Sequence, residues 1–288
     1  MISYRHHIVS LVAVFLALAV GVALGGGPLS ELGRDDRPAS ATTRQQRAAT
    51  SGASFGDEFA AASAAALYDG GLRDHSVSVV TLPGASGDVV SALGAQVEAA
   101  GGEIAGTYDV LPALTDPEEK SLVDTLGSQL MTQLGSGAVT SDASTYVRLG
   151  QLVGLATATT DLPSEDALSV RQSLAGAELL TSPEDAMRAP IVLVVLGTST
   201  NPAILSGLVA GLSAKASGVV VAGDAAAAAG SGDLAALRSE PAADKVATVD
   251  GADTPLGQVT TVLALIRSIS VKGGAFGASG SDGAVPLK

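Results

Sequence analysis

Two short runs, IVLVVL at residues 191–196 and GVVVA at residues 218–222, contain no polar side chain. A strand with one wet face alternates apolar and polar residues. An unbroken apolar run of this length belongs to a strand covered on both faces. The intervening segments supply the cover. Residues 202–216 carry helical spacing, and so do residues 254–270, with Val259, Val262, Leu263 and Ile266 on one side. Earlier in the chain, residues 76–82 (SVSVVTL) are β-branched and short, and Pro83, Gly84, Ser86 and Gly87 make a turn. Val89, Leu93 and Val97 then mark a helix, Gly101 and Gly102 stop it, and residues 103–110 read as a second strand. These three elements form a right-handed βαβ unit.

The middle of the chain is helical. Asp116 is placed to cap a helix that Pro117, Glu118 and Glu119 open, and Leu122, Leu126, Leu130 and Leu134 give it an apolar stripe. Further helices are expected at about residues 141–158 and 164–180, so that an insert over 116–180 covers one end of the sheet. Residues 224–237 read as a helix, 245–249 as an edge strand, and the Gly- and Ser-rich residues 273–288 as a mobile tail. The alternation predicts a Rossmann-like, three-layer α/β domain with a mostly parallel sheet of about five strands.

Ahead of this domain, residues 8–24 are apolar apart from Ser10, and no charge occurs between Arg5 and Glu31. Extended through Gly25, Gly26 and Gly27, the run reaches the roughly 20 residues a bilayer-spanning helix requires. Arg5, His6 and His7 precede it, and the first charge after it is acidic, which places the N-terminus in the cytoplasm and the rest outside. The competing reading is a cleaved signal peptide, with Gly21 and Ala23 at the cleavage pattern; the apolar run exceeds the roughly 7–15 residues of a usual signal core. Ala13, Ala17, Gly21 and Gly25 recur every fourth residue, a face along which two helices approach closely and dimerise. The expected division is residues 1–27 as N-terminus and transmembrane anchor, 28–71 as a stalk with a short helix at 57–68, 72–272 as the extracytoplasmic domain and 273–288 as the tail. Phe55, Phe59 and Leu67 are expected to form the apolar face of the short helix.

Composition excludes several function classes. Sixteen Lys and Arg stand against 29 Asp and Glu, a net charge of −13, and no basic patch is interleaved with aromatics, so nucleic acid is not a partner. Cysteine is absent, so the domain folds on its core alone and has no thiolate chemistry. With 3% aromatics the chain lacks the girdles of a transmembrane barrel. Soft copper ions favour thiolate and thioether ligands, and Cu(II) favours imidazole. Met131 lies in an apolar stripe, Met187 is isolated, His75 stands alone before a strand, and His6 and His7 serve topology. No metal site and no resident cofactor is therefore expected.

Ligands of an open parallel sheet bind beyond the carboxyl ends of its strands. The positions there are Gly84, Ser86 and Gly87 after the first strand, Thr198 and Ser199 after IVLVVL, and Gly223 and Asp224 after GVVVA. Neither G-x-G-x-x-G, nor a Walker Lys, nor G-x-S-x-G occurs. Ser, Thr and Asp at these places serve helix capping equally well. Asp250, Asp253 and Thr254 form a polar cluster that capping of the last helix explains. A non-enzymatic protein is the expectation.

The opening MISYRHHIVSLVAVFLALAVGVALGGGPLSE, the segment VATVDGADTPLGQVTTVLAL at residues 246–265 and SGVVVAGD at residues 217–224 resemble the MctB family of copper transport proteins, which includes SteB-like envelope proteins. The resemblance runs from Met1 to about residue 269 and is looser in the middle. It implies copper efflux and homeostasis with an outer-membrane location. The SteB-like members imply instead a membrane-anchored scaffold that pairs with a SteA partner in cell separation. Family members usually carry a longer coiled coil after the anchor; here Pro38 and a Thr- and Ser-rich stretch interrupt that region. The combined expectation is a single-pass, homodimeric envelope protein whose part in copper handling is indirect. A degenerate nucleotide- or sugar-binding protein is the third reading.

Overall fold

The computed structural model describes residues 41–135, 137–160 and 162–287. The expected anchor, with Ala13, Ala17, Gly21 and Gly25, lies outside them. No helix among the described residues is long and apolar enough to cross a membrane. The chain divides into two units, Met1–Phe55 and Gly56–Lys288. The packing below is that of the second.

The elements in order are α1 (Ala41–Tyr68), β1 (Ser76–Thr81), α2 (Gly87–Ala99), β2 (Glu103–Val110), α3 (Pro112–Thr115), α4 (Lys120–Leu134), α5 (Thr145–Thr157), α6 (Ser164–Gly176), β3 (Leu180–Thr181), β4 (Ile191–Val195), α7 (Pro202–Ser213), β5 (Gly218–Ala222), α8 (Asp233–Arg238), β6 (Ala247–Val249), α9 (Pro255–Ser268) and β7 (Ala275–Phe276). They build one seven-stranded sheet in the order β3-β2-β1-β4-β5-β6-β7. Every pairing is parallel except β2 with β3. Leaving aside the two-residue strands β3 and β7, this is the flavodoxin-like order, with the reversal of direction between β1 and β4.

The apolar runs behave as their composition requires. All five residues of β4 and all five of β5 are buried. Val192 and Val194 join one core with α4, α5, α6 and α7; Ile191, Leu193 and Val195 join the other with α1, α2 and α9. These are the two faces of a three-layer sandwich. The insert at 116–180 therefore covers a face rather than an end, and it adds β3 antiparallel to the edge strand β2.

Helix packing in that layer depends on glycine. A Cβ on Gly150 of α5 would collide with the Leu208 carbonyl oxygen of α7, and one on Gly211 of α7 would collide with the Val147 carbonyl oxygen of α5. The two backbones touch, which only residues without side chains permit. The helix α5 also starts at Thr145 rather than near 141. Buried Gln151 holds the preceding turn by accepting from the Thr140 amide at 2.8 Å and donating to Thr140 Oγ1 at 2.9 Å. In α4 the buried positions are Val123, Gly127 and Leu130, one residue out of step with the leucine stripe at its start. Leu122 is exposed, because the packing surface is centred on Gly127, against which the Arg148 stem lies.

Further expectations change. The helix α1 extends over Ala41–Tyr68, and its Ala60, Ala64 and Tyr68 are buried in the core. Phe55 and Phe59, expected to face inward, are 70% and 60% exposed. The small alanines let residues 57–68 of α1 lie close to the sheet layer, and Asp57 Oδ1 accepts from the Leu256 amide at 3.2 Å, beside the start of α9. Residues 57–71 fall within the unit Gly56–Lys288. The helix expected at 224–237 is reduced to α8. Asp224 Oδ1 takes the Ala227 amide at 2.7 Å, and Gly230 lies at φ 55°, so residues 225–231 form turns. The strand β6 is internal, since β7 from the expected mobile tail pairs with it. The sheet accordingly has seven strands, not about five.

Candidate functional site

The reversal between β1 and β4 leaves a crevice beyond the carboxyl ends of β1, β4, β5 and β6. A cavity of 190 Å³ lies there. Its lining brings together four of the expected residues, Gly84, Ser86, Gly223 and Asp224, and adds Gly197 and Asp253. Gly87, Thr198 and Ser199 do not line it. Gly87 opens α2, and Ser199 is exposed on the loop after β4.

Thr198 has another task. Its amide and its Oγ1 both donate to the Pro83 carbonyl, at 2.9 and 3.1 Å. Gly84 lies at φ 81°, in the left-handed region, and a Cβ there would stand 2.6 Å from the Thr198 methyl. On the other side, a Cβ on Gly197 would collide with the Pro83 carbonyl oxygen. The β1 and β4 loops are therefore stitched together across the mouth where a dinucleotide or flavin sits in open sheets of this class.

The polar side chains around the crevice already have partners inside the protein. Asp224 caps the turn at Ala227, and Asp253 Oδ1 accepts from the Ala225 amide at 3.3 Å. Asp233, 6% exposed, accepts from the Thr200 amide at 2.7 Å. Asn201 and Thr254 accept from Ala203 and Gly257 and cap α7 and α9. Ser86 precedes α2 without a side-chain cap, and Asp88 stands in the first turn of that helix. A helix N-terminus favours anions. Here Asp88 stands in the exposed first turn, and Asp224 and Asp253 line the space in front, so a phosphate in the cavity meets two carboxylates.

The polar cluster expected near the last helix separates into three roles. Thr254 is a cap and Asp253 holds the Ala225 loop, but Asp250 faces a different group of residues. It is 2% exposed, and its Oδ2 pairs with Arg238 Nη1 at 3.0 Å. The Ala278 and Ser279 amides donate to it at 2.7 and 3.1 Å, and Ser279 Oγ donates at 2.5 Å. Burial alone would raise the Asp250 pKa; the hydrogen bonds from Ser279, Arg238 and Ala278 outweigh it and hold the carboxyl below its ordinary value. Arg238 also donates to Thr248 Oγ1 at 3.0 Å, Ser279 Oγ at 2.7 Å and the Phe276 carbonyl at 2.8 Å. This network locks β7 and the following loop onto β6.

The expected soft ligands lie far apart in role. Met131 packs against the core formed by α4 and its neighbours, and Met187 is 61% exposed. His75 Nδ1 lies 2.9 Å from the Arg73 carbonyl at the surface. His6 and His7 lie outside the described residues. Among the described residues there is no group of three or more His, Asp or Glu side chains arranged to hold a metal ion.

A profile of the family described as "Copper transport outer membrane protein, MctB" matches residues 1–287. The chain belongs to that family. It is 29% identical over 291 residues to "Copper transporter MctB" of Mycobacterium tuberculosis and to the protein of the same description from Mycobacterium bovis. The alignments cover 92% of this chain and 92% of each relative. The MctB match includes the N-terminal apolar run together with the α/β unit, so both belong to one shared arrangement of sequence.

Proposed function

We propose that this MctB family member is a membrane-anchored, non-enzymatic envelope protein whose folded unit lies outside the cytoplasmic membrane and serves as a binding module or dimeric scaffold. Its contribution to copper homeostasis is then exerted through a partner or through envelope organisation rather than by ligating the ion. The observation that supports this reading is the stitched crevice. A doubly wound sheet has its natural ligand site at the strand-order reversal. In this chain Gly84 and Gly197 bring two loops into contact across that place, and the nearby carboxylates are spent on backbone amides. The remaining 190 Å³ is below the roughly 300–1,000 Å³ typical of sites for small molecules and cofactors.

A SteB-like role in cell-wall assembly and cell separation, with a SteA-like partner, is the scaffold form of this proposal. The degenerate nucleotide-binding reading is disfavoured by the two carboxylates, Asp224 and Asp253, that line the crevice. Deletion of the gene, scored together for copper tolerance and for septation, separates the forms. The scaffold form expects chained or misdivided cells, restored by the full chain and also by a chain in which both His6 and His7 are replaced by Gln. Copper sensitivity with normal septation, rescued only when both histidines are present, contradicts it.

A further inference from the structure

The chain carries a second cavity, 430 Å³ in volume, lined by α5, α6 and the loop that leads into β4. Its polar wall consists of Arg171 and Arg188, with the hydroxyls of Thr159 and Ser164 beside them. Its other walls are apolar, with Leu168 and Met187, 43% and 61% exposed, at the lip.

The net charge is −13, yet among the described residues neither the Arg171 nor the Arg188 guanidinium has a carboxylate within ion-pair distance; the ion pairs there are Arg148 with Asp124 and Arg238 with Asp250. Arg171 Nη1 donates to the Ala186 carbonyl at 2.6 Å. Arg188 holds on only by two long bonds from Nη2, to the Leu162 carbonyl at 3.3 Å and to Ser164 Oγ at 3.4 Å, while its Nη1 is buried with no partner. A buried charged donor without an acceptor costs several times what an ordinary hydrogen bond contributes. Ser164, which opens α6, lines the same cavity, and Pro163 gives that helix no side-chain cap. Glu165 and Asp166 of that turn are exposed and line no part of the cavity. Tyr108 Oη donates to the Met187 carbonyl at 3.0 Å and fixes the wall behind.

We infer that this cavity binds an amphiphilic oxyanion, a carboxylate or phosphate head engaged by Arg171 and Arg188 with a short apolar body against Leu168 and Met187. A guanidinium fork matches either head with paired hydrogen bonds. The volume falls within the range of small-molecule sites, and a predominantly apolar lining with a few convergent polar groups is their usual make-up. A metal cation is repelled from the same space by the two guanidiniums.

The chain has three methionines, and one of them, Met187, is in the wall, which gives a site-specific readout. The full-length chain, labelled with 13C at its methionine methyls in phosphatidylcholine nanodiscs, is titrated with hexanoate, hexyl phosphate, hexanol and inorganic phosphate. The expected result is a saturable shift of the Met187 methyl with hexanoate, hexyl phosphate or both, while Met131, packed elsewhere, stays still. The arm that saturates identifies the head. Arg188→Gln and Arg171→Gln are each expected to weaken that binding by about tenfold or more. Hexanol shifting Met187 as hexanoate does, or no saturable shift with either amphiphilic anion at millimolar concentration, overturns the proposal. The comparison among ligands on the native chain stands even where a variant fails to fold.

Discussion

Replacing Arg238 by Met lowers the stability of the folded unit by about 3–5 kcal/mol, the usual cost of removing one partner from a buried pair. The guanidinium makes four hydrogen bonds that no other side chain replaces, to Thr248, Asp250, Ser279 and the Phe276 carbonyl. Its loss leaves the Asp250 carboxylate, 2% exposed, without a counter-ion. Arg238→Lys recovers little, because an ammonium cannot span the four acceptors that the planar guanidinium fork reaches. Asp250→Asn is expected to be nearly as damaging, since the Ala278 and Ser279 amides then face a side chain with only one acceptor oxygen. Chemical denaturation of each variant against the native chain measures the effect; losses under about 1 kcal/mol would show that the network adds little. The pair also sets an acid limit. The folded Asp250 carboxyl titrates below its ordinary value, so its contribution is complete above the unfolded pKa, about 3.9, and is lost as pH falls through the folded value. In Asp250→Asn this part of the acid dependence is absent.

Gly211→Val separates α5 from α7 and costs about 3 kcal/mol or more, at or above the upper end of ordinary overpacking, because the clash is with backbone. The Val147 carbonyl and the Gln151 amide occupy the place a Cβ would take. Neither has a rotamer with which to retreat. Gly150→Val meets the Leu208 backbone from the opposite helix and behaves the same way. By contrast Gly176→Ala, at the end of α6 with nothing near its Cβ position, is expected to be neutral or slightly stabilising. Thermal unfolding of the three variants tests the contrast, and equal midpoints would refute direct backbone contact between α5 and α7.

What the sequence reveals follows from how local each cause is. The strands β4 and β5 are legible because burial on both faces leaves an uninterrupted apolar run. The strands β3 and β7, two residues each, are not, because pairing across the sheet creates them. The large Phe55 and Phe59 suggest one face of α1, while close packing selects the alanines of another. The strand-end rule locates Gly84, Ser86, Gly223 and Asp224. Gly197 follows directly on IVLVVL and was open to the same rule; its value lies in contact with Pro83, which no spacing records. Asp250, Arg238 and Ser279 converge from positions up to 41 residues apart, so their network is visible only in three dimensions. The same holds for Arg171 and Arg188, which share a cavity because α6 and the loop before β4 meet there.

We propose that this MctB family member contributes to copper homeostasis without ligating the ion. The most direct test is a titration of the full-length chain with Cu(II), and with Cu(I) under reductant, against a competing chelator of micromolar affinity. Copper is expected to stay with the chelator, and the chain to form no stoichiometric complex. A one-to-one complex that survives the chelator, and that is lost on replacing named histidines or methionines of this chain, would contradict it.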